Sequence, residues 1–179
     1  MSSFIITALG DKFDFDNPES SYMDIYQIGL SLSKQCRFNG HTSVFYSVAQ
    51  HSVLVSYYLP PELALAGLLH DASEAFIGDL VTPLKKRFPE FKELEDKIQR
   101  AINLRFNLPL TVDPRIKQTD LRVLATEKRD VMPPNNYHWA ILDGIDPFGE
   151  KIRAQNNAQA YASFIARYKD IMRNGAKFL

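Results

Sequence analysis

The segment GLLHDASEAFIGDL, from Gly67 to Leu80, ends an apolar run with His70 beside Asp71 and Glu74 one turn on. Ionisable groups at the end of a core helix are costly to desolvate unless something binds them. That feature demands a fold that brings partners to this point, and the surrounding sequence supplies mostly helices to do so. YMDIYQIGLSLSKQC spaces Ile25, Ile28, Leu30 and Leu32 close to helical period. SVFYSVAQHSVLVSYYL sets Val44, Val48, His51 and Val55 on one face of a helix. PPELALAGLLHDASEAF starts with prolines where a helix tolerates them best. FPEFKELEDKIQRAINLRF alternates apolar and charged positions with helical period and i,i+4 charge pairs. DPRIKQTDLRVLATEKRDVM opens with Asp113 as a cap and Pro114 at the first helical position. KIRAQNNAQAYASFIARYKDIMRN reads as a final amphipathic helix.

Two segments differ. FIITALGDKFDF has β-branched residues flanking a Gly-Asp turn, the pattern of a small hairpin. PPNNYHWAILDGIDPFG is a turn-rich loop, where His138 and Trp139 read as packing or subunit contact. The expectation is one all-α domain over residues 1–179, a helical bundle with a small N-terminal β-hairpin.

Composition narrows the partners. The 179 residues carry 21 Lys plus Arg and 21 Asp plus Glu, so no global field draws in nucleic acid or an anionic membrane. Cys36 is the only cysteine, which excludes a disulfide framework and fits a reducing compartment. MSSFIITALGDKFDFD lacks the basic start and long apolar core of a signal peptide. No apolar run approaches a membrane span. A cytoplasmic protein is expected.

Three helices each aim a polar ligand type inward. His51 lies four residues before Val55, and His70 four after Ala66. Asp120 lies four residues after Ile116 and three before Val123. Helical bundles build metal sites from side chains on facing helices. His51, His70, Asp71 and Asp120 form a mixed imidazole and carboxylate set, which suits Mn, Co, Fe, Ni or Zn more than Ca. Each has a plainer reading alone: a hydrogen-bonded core histidine, a capping Asp71, or an Asp120 paired with Lys117 or Arg122. The metal reading stands on their co-occurrence. Glu74 is four residues after His70, so on a helix it points the same way without being a ligand.

HDASEAFIGDLVTPLKK resembles the signature of the HD-domain metal-dependent phosphohydrolases, closest to their 5′-deoxynucleotidase branch. CRFNGHTSVFYSVAQHSV is similar to the segment upstream of that signature, and IKQTDLRVLATE to the helix that supplies its last aspartate. GDKFDFDNPESSYMDIYQIGLSLSKQCRF resembles the N-terminus of short phage and prophage members. The resemblance implies one divalent ion (Co²⁺, Mn²⁺, Mg²⁺, Ni²⁺ or Zn²⁺) held by His51, His70, Asp71 and Asp120. It makes Glu74 the group that positions or activates the attacking water. Asp79 becomes a carboxylate near the sugar and the catalytic centre. Arg37 and Lys85 become phosphate contacts, with Phe38 and Pro83 on the base side. Phe38 stands where relatives often carry tryptophan, and Val81 where a nucleotidase relative has proline. The implied substrate is a small-molecule deoxynucleotide, with no nucleic-acid or membrane partner and a homodimer or larger assembly. Removal of the 5′-phosphate from a monophosphate is the first expectation. Release of tripolyphosphate from a triphosphate is the alternative, and a non-catalytic nucleotide-binding domain comes after both. Alarmone hydrolysis and di-iron oxygenation rank lower. The first usually pairs His-Asp with a different acidic pair. The second needs extra histidines, and only His41 and His138 remain.

Overall fold

In a computed structural model, which describes residues 3–175, the all-α expectation holds together with the hairpin. β1 (Phe4–Ile6) and β2 (Lys12–Asp14) pair antiparallel, with Ile5 opposite Phe13. The turn between them uses Gly10 at φ +90°, a conformation that needs no Cβ. Phe13 anchors the hairpin: it is fully buried and stacks on Phe76 with ring centroids 3.9 Å apart.

Asp24 caps α1 (Ile25–Lys34) by accepting from the Gln27 N–H, and Ile25, Ile28 and Leu32 face the core. Ser47 caps α2 (Val48–Tyr58), which is buried on nearly all sides because α1, α3, α7 and α8 pack around it. α3 (Ala64–Leu68), α4 (Glu74–Ile77) and α5 (Thr82–Lys85) are short. α6 (Pro89–Arg105) and α7 (Pro114–Asp130) are long and amphipathic, and α7 is capped by Asp113 with Pro114 at its first position, as expected. α8 (Asn157–Gly175) closes the bundle against α1 and α2. Among the described residues, no helix is long and apolar enough to cross a membrane.

Three boundaries depart from the periodicity. Val44 lies outside α2 and is half exposed, so it does not share a helical face with His51. Cys36 and Ser47 form an isolated antiparallel bridge, and the Arg37 N–H donates to Tyr46 O, which keeps residues 46–47 extended. The helix expected across PPELALAGLLHDASEAF breaks into a 3-10 turn at Pro61–Leu63, α3, a non-helical turn through residues 69–73, and α4. Residues 151–156 are irregular rather than helical. The buried Gln50 side chain holds them, donating to Arg153 O at 2.8 Å and accepting from the Gln155 N–H at 3.0 Å.

The α1–α8 seam depends on a glycine. A Cβ on Gly29 would lie 2.7 Å from Cδ1 of the fully buried Phe164. Overpacking of this kind costs about 1–3 kcal/mol. Gly29→Ala should therefore lower the urea midpoint with an unchanged slope. A midpoint equal to wild type would show that the Phe164 ring can yield.

Candidate metal centre

α2, the turn after α3, and α7 converge on one point. His51, fully buried on α2, directs Nδ1 at Glu127 Oε1, 2.6 Å away. His70, in the turn that interrupts the expected helix, directs Nδ1 at Gly67 O at 2.8 Å. An acceptor at each Nδ1 places its proton there, so in the neutral rings the Nε2 atoms carry the lone pairs. These two Nε2 atoms face each other at 3.3 Å. Asp71 Oδ2 lies 3.2 Å from His70 Nε2 and 3.5 Å from His51 Nε2. Asp120 Oδ1 lies 3.3 Å from His51 Nε2 and 4.0 Å from His70 Nε2. The ligand atoms of His51, His70 and Asp120 all fall within 4.8 Å of one another.

Opposed lone pairs between two carboxylates repel unless a positive charge sits among them. Donors held about 2.0–2.2 Å from a common ion lie within about 4.4 Å of one another. The observed spacing fits that arrangement, and the nitrogen and oxygen donors suit a divalent transition ion. In the ion's place, protons can carry the charge. Burial and the Arg37 guanidinium disfavour a charged His51, but Glu127 and Asp120 outweigh them and lift its pKa to about 9. Burial alone would raise the Asp120 and Asp71 carboxyls, yet the neighbouring histidines hold both below the usual range. Asp120 also satisfies the plainer expectation, since Oδ2 accepts from Lys117 Nζ at 2.7 Å.

A cavity of about 1090 Å³ opens beside this cluster. Its wall includes His70, Asp71 and Asp120, then Glu74, Asp79, Pro83 and Lys85. Glu74 begins α4 and is 4% exposed, with Oε2 buried and unpartnered among the described residues. Burial, reinforced by the Asp71 and Asp79 charges, pushes its carboxyl well above the usual range. Burial likewise raises Asp79. Gln35 pins this stretch from the end of α1: it donates to Glu74 O at 2.8 Å and accepts from the Asp79 N–H at 3.1 Å. Lys85 Nζ pairs with Glu95 and lies 3.8 Å from Glu74 Oε1.

Arg37 is buried rather than solvated. Its guanidinium reaches Glu127 Oε2 at 3.3 Å and Asp71 Oδ2 at 3.6 Å, and Nε has no partner among the described residues. The chain then turns sharply, with Phe38 and Asn39 both in the left-handed region at φ 54° and 52°. That conformation costs a side-chain-bearing residue roughly 1–2 kcal/mol. Both Arg37 and Phe38 line the cavity, the buried Arg37 guanidinium among the carboxylates and Phe38 beside it.

The periodicity did not single out two residues here. Glu127 sits in the charged run ATEKRD, which reads as a solvated helix end, yet it is fully buried. The available signal was its position seven residues after Asp120, on the same face of α7. Trp139 was expected to pack or to meet another subunit. It lines the cavity instead, with its ring centroid 6.2 Å from that of Phe38 and Lys128 Nζ 5.1 Å from its ring.

A family profile described as 5′-deoxynucleotidase YfbR-like matches residues 45–173. That span contains His51, His70, Asp71, Glu74, Asp79 and Asp120, whereas Arg37 and Phe38 lie upstream of it. The chain is similar to the uncharacterized protein YfdR of Escherichia coli (strain K12). They are 41% identical over 171 residues, which cover 94% of this chain and 96% of that protein. An uncharacterized protein of Rhodobacter capsulatus is 35% identical over 183 residues, covering 92% and 93% respectively.

Proposed function

The chain belongs to the YfbR-like 5′-deoxynucleotidase family, and from that premise we propose that it hydrolyses deoxynucleoside 5′-monophosphates to phosphate and the deoxynucleoside. The carrying observation is the convergence of His51, His70, Asp71 and Asp120 beside a buried Glu74, whose Oε2 has no partner among the described residues, in a cavity large enough for a nucleotide. Those four side chains would hold one divalent ion, which when bound supplies a Lewis acid for a phosphoryl oxygen and acidifies water. Glu74 takes the proton of the attacking water, a task suited to a carboxylate whose proton affinity burial raises above the usual range. As the new O–P bond forms, the bond from phosphorus to the 5′-oxygen breaks; that oxygen takes a proton from solvent water, and Glu74 gives the proton it accepted back to solvent. Arg37 and Lys85 offset charge on the phosphoryl oxygens. Asp79 contacts the sugar, and Pro83 lies on the base side. The substrate is a free deoxynucleotide in a cytoplasmic setting, and the functional unit is a homodimer or larger.

Phe38 and Trp139 form an aromatic corner for the base, their planes inclined at 51°. Base stacking on an aromatic side chain contributes roughly 1–3 kcal/mol. Phe38→Ala should raise KM accordingly and reorder the preference among four deoxynucleotides. An unchanged base profile with a large fall in melting temperature would assign Phe38 to packing. The reaction itself is tested with mono-, di- and triphosphates in Mn²⁺, Co²⁺ and Mg²⁺. Phosphate release from monophosphates is expected. Tripolyphosphate from triphosphates would move the reaction to the α-phosphorus, and no turnover of any would make the domain a binder.

A further inference from the structure

Glu127 has no place in the chemistry described above, yet it is the most fully enclosed carboxylate at the site. It is 0% exposed, two turns beyond Asp120 on α7. A carboxylate in such a place is costly unless both oxygens are engaged. One oxygen accepts from His51 Nδ1 at 2.6 Å, the other from Arg37 at 3.3 Å. His51 Nδ1 has no other partner among the described residues, so its proton depends on this one acceptor. If the proton moved to Nε2, the lone pair would turn away from His70, Asp71 and Asp120.

We propose that Glu127 is a positioning residue: by accepting from His51 Nδ1–H it fixes the imidazole tautomer and ring direction that aim the Nε2 lone pair into the metal centre, while Arg37 balances its charge. This rests on the metal reading of the four-residue cluster. His70 achieves the same end through a backbone carbonyl, Gly67 O, at 2.8 Å. His51 lies within the continuous helix α2, whose backbone carbonyls accept from N–H groups four residues on. The acceptor for His51 must therefore come from another element, and α7, which also carries Asp120, provides it. The two residues of α7 thus approach His51 from opposite sides of its ring, Asp120 at Nε2 and Glu127 at Nδ1.

The test compares two substitutions of similar volume. Glu127→Gln keeps an oxygen that can accept from Nδ1–H, whereas Glu127→Met does not. Co²⁺ affinity is measured by calorimetry and by the visible absorption of the bound ion. Partners of this kind typically affect metal affinity 10–100-fold. Glu127→Met should weaken Co²⁺ binding by roughly that factor, and Glu127→Gln should stay close to wild type. If Glu127→Met fails to fold because Arg37 is left buried beside too little negative charge, the same pair is made on an Arg37→Met background. Independently, ¹⁵N spectra of the Zn²⁺-loaded wild type should show His51 protonated at Nδ1. Wild-type affinity in the Met variant, equal weakening in both variants, or an Nδ1 without its proton would each overturn the proposal. A wild type that takes up no Co²⁺ would instead overturn the metal reading on which it rests, and the proposal with it.

Discussion

His70→Ala should leave the protein folded but unable to keep its metal through dialysis, and inactive as a hydrolase. Removing the imidazole leaves three donors and deletes the Nε2 that lies 3.2–3.3 Å from Asp71 and His51. The loss should exceed the roughly 10–100-fold that follows removal of an outer hydrogen-bond partner. The structural penalty is small by comparison. His70 sits in a turn, and its absence frees only Gly67 O, worth about 1 kcal/mol. Elemental analysis after dialysis, beside thermal melts of both proteins in chelator, separates the two effects. Equal metal content in wild type and variant would reject the site.

Glu74→Gln should reduce kcat by about 10²–10⁴-fold while the metal stays bound. The same substitution should make the metal-free protein more stable, in a pH-dependent way. Burial holds the Glu74 carboxyl above its unfolded value. As pH rises past the unfolded pKa, near 4.3, the unfolded chain ionises freely and the folded one resists. The wild type therefore loses stability from that pH upward until its folded pKa is passed, and the glutamine variant does not. The melting temperatures should coincide near pH 4 and separate toward neutrality, with the variant higher. Such an exchange of stability for activity is common at active sites. Metal loss in the variant, or near wild-type kcat, would remove Glu74 from the proton-transfer role. Parallel melting curves at all pH values would show instead that Oε2 is solvated.

Local signals carried the long elements. α6 and α7 begin at the prolines and, for α7, the aspartate cap that the sequence displays. The hairpin follows from its β-branched flanks and Gly10. Helical spacing also predicted that His51, His70 and Asp120 would meet, although His70 reaches the others from a turn and not from a helix. What the local pattern could not supply were choices made by distant partners. Gln50 unwinds residues 151–156 by bonding to their backbone, and its sequence neighbourhood gives no hint of this. Glu127 has the composition of a surface residue, and its burial is offset by two distant partners, His51 and, ninety positions away, Arg37. Trp139 reaches the cavity through an irregular segment whose path no periodicity describes.

The left-handed turn at Phe38 and Asn39 separates two adjacent residues into different surroundings. Arg37 is held among the carboxylates of the cavity wall, and Phe38 lines the same cavity with Trp139. His51, Asp120 and Glu127 hang from α2 and α7, while the two aromatic rings hang from a 3-10 turn and a loop. Substitutions at Phe38 and Trp139 therefore alter the cavity wall without removing any hydrogen bond or ion pair of His51, Asp120 or Glu127.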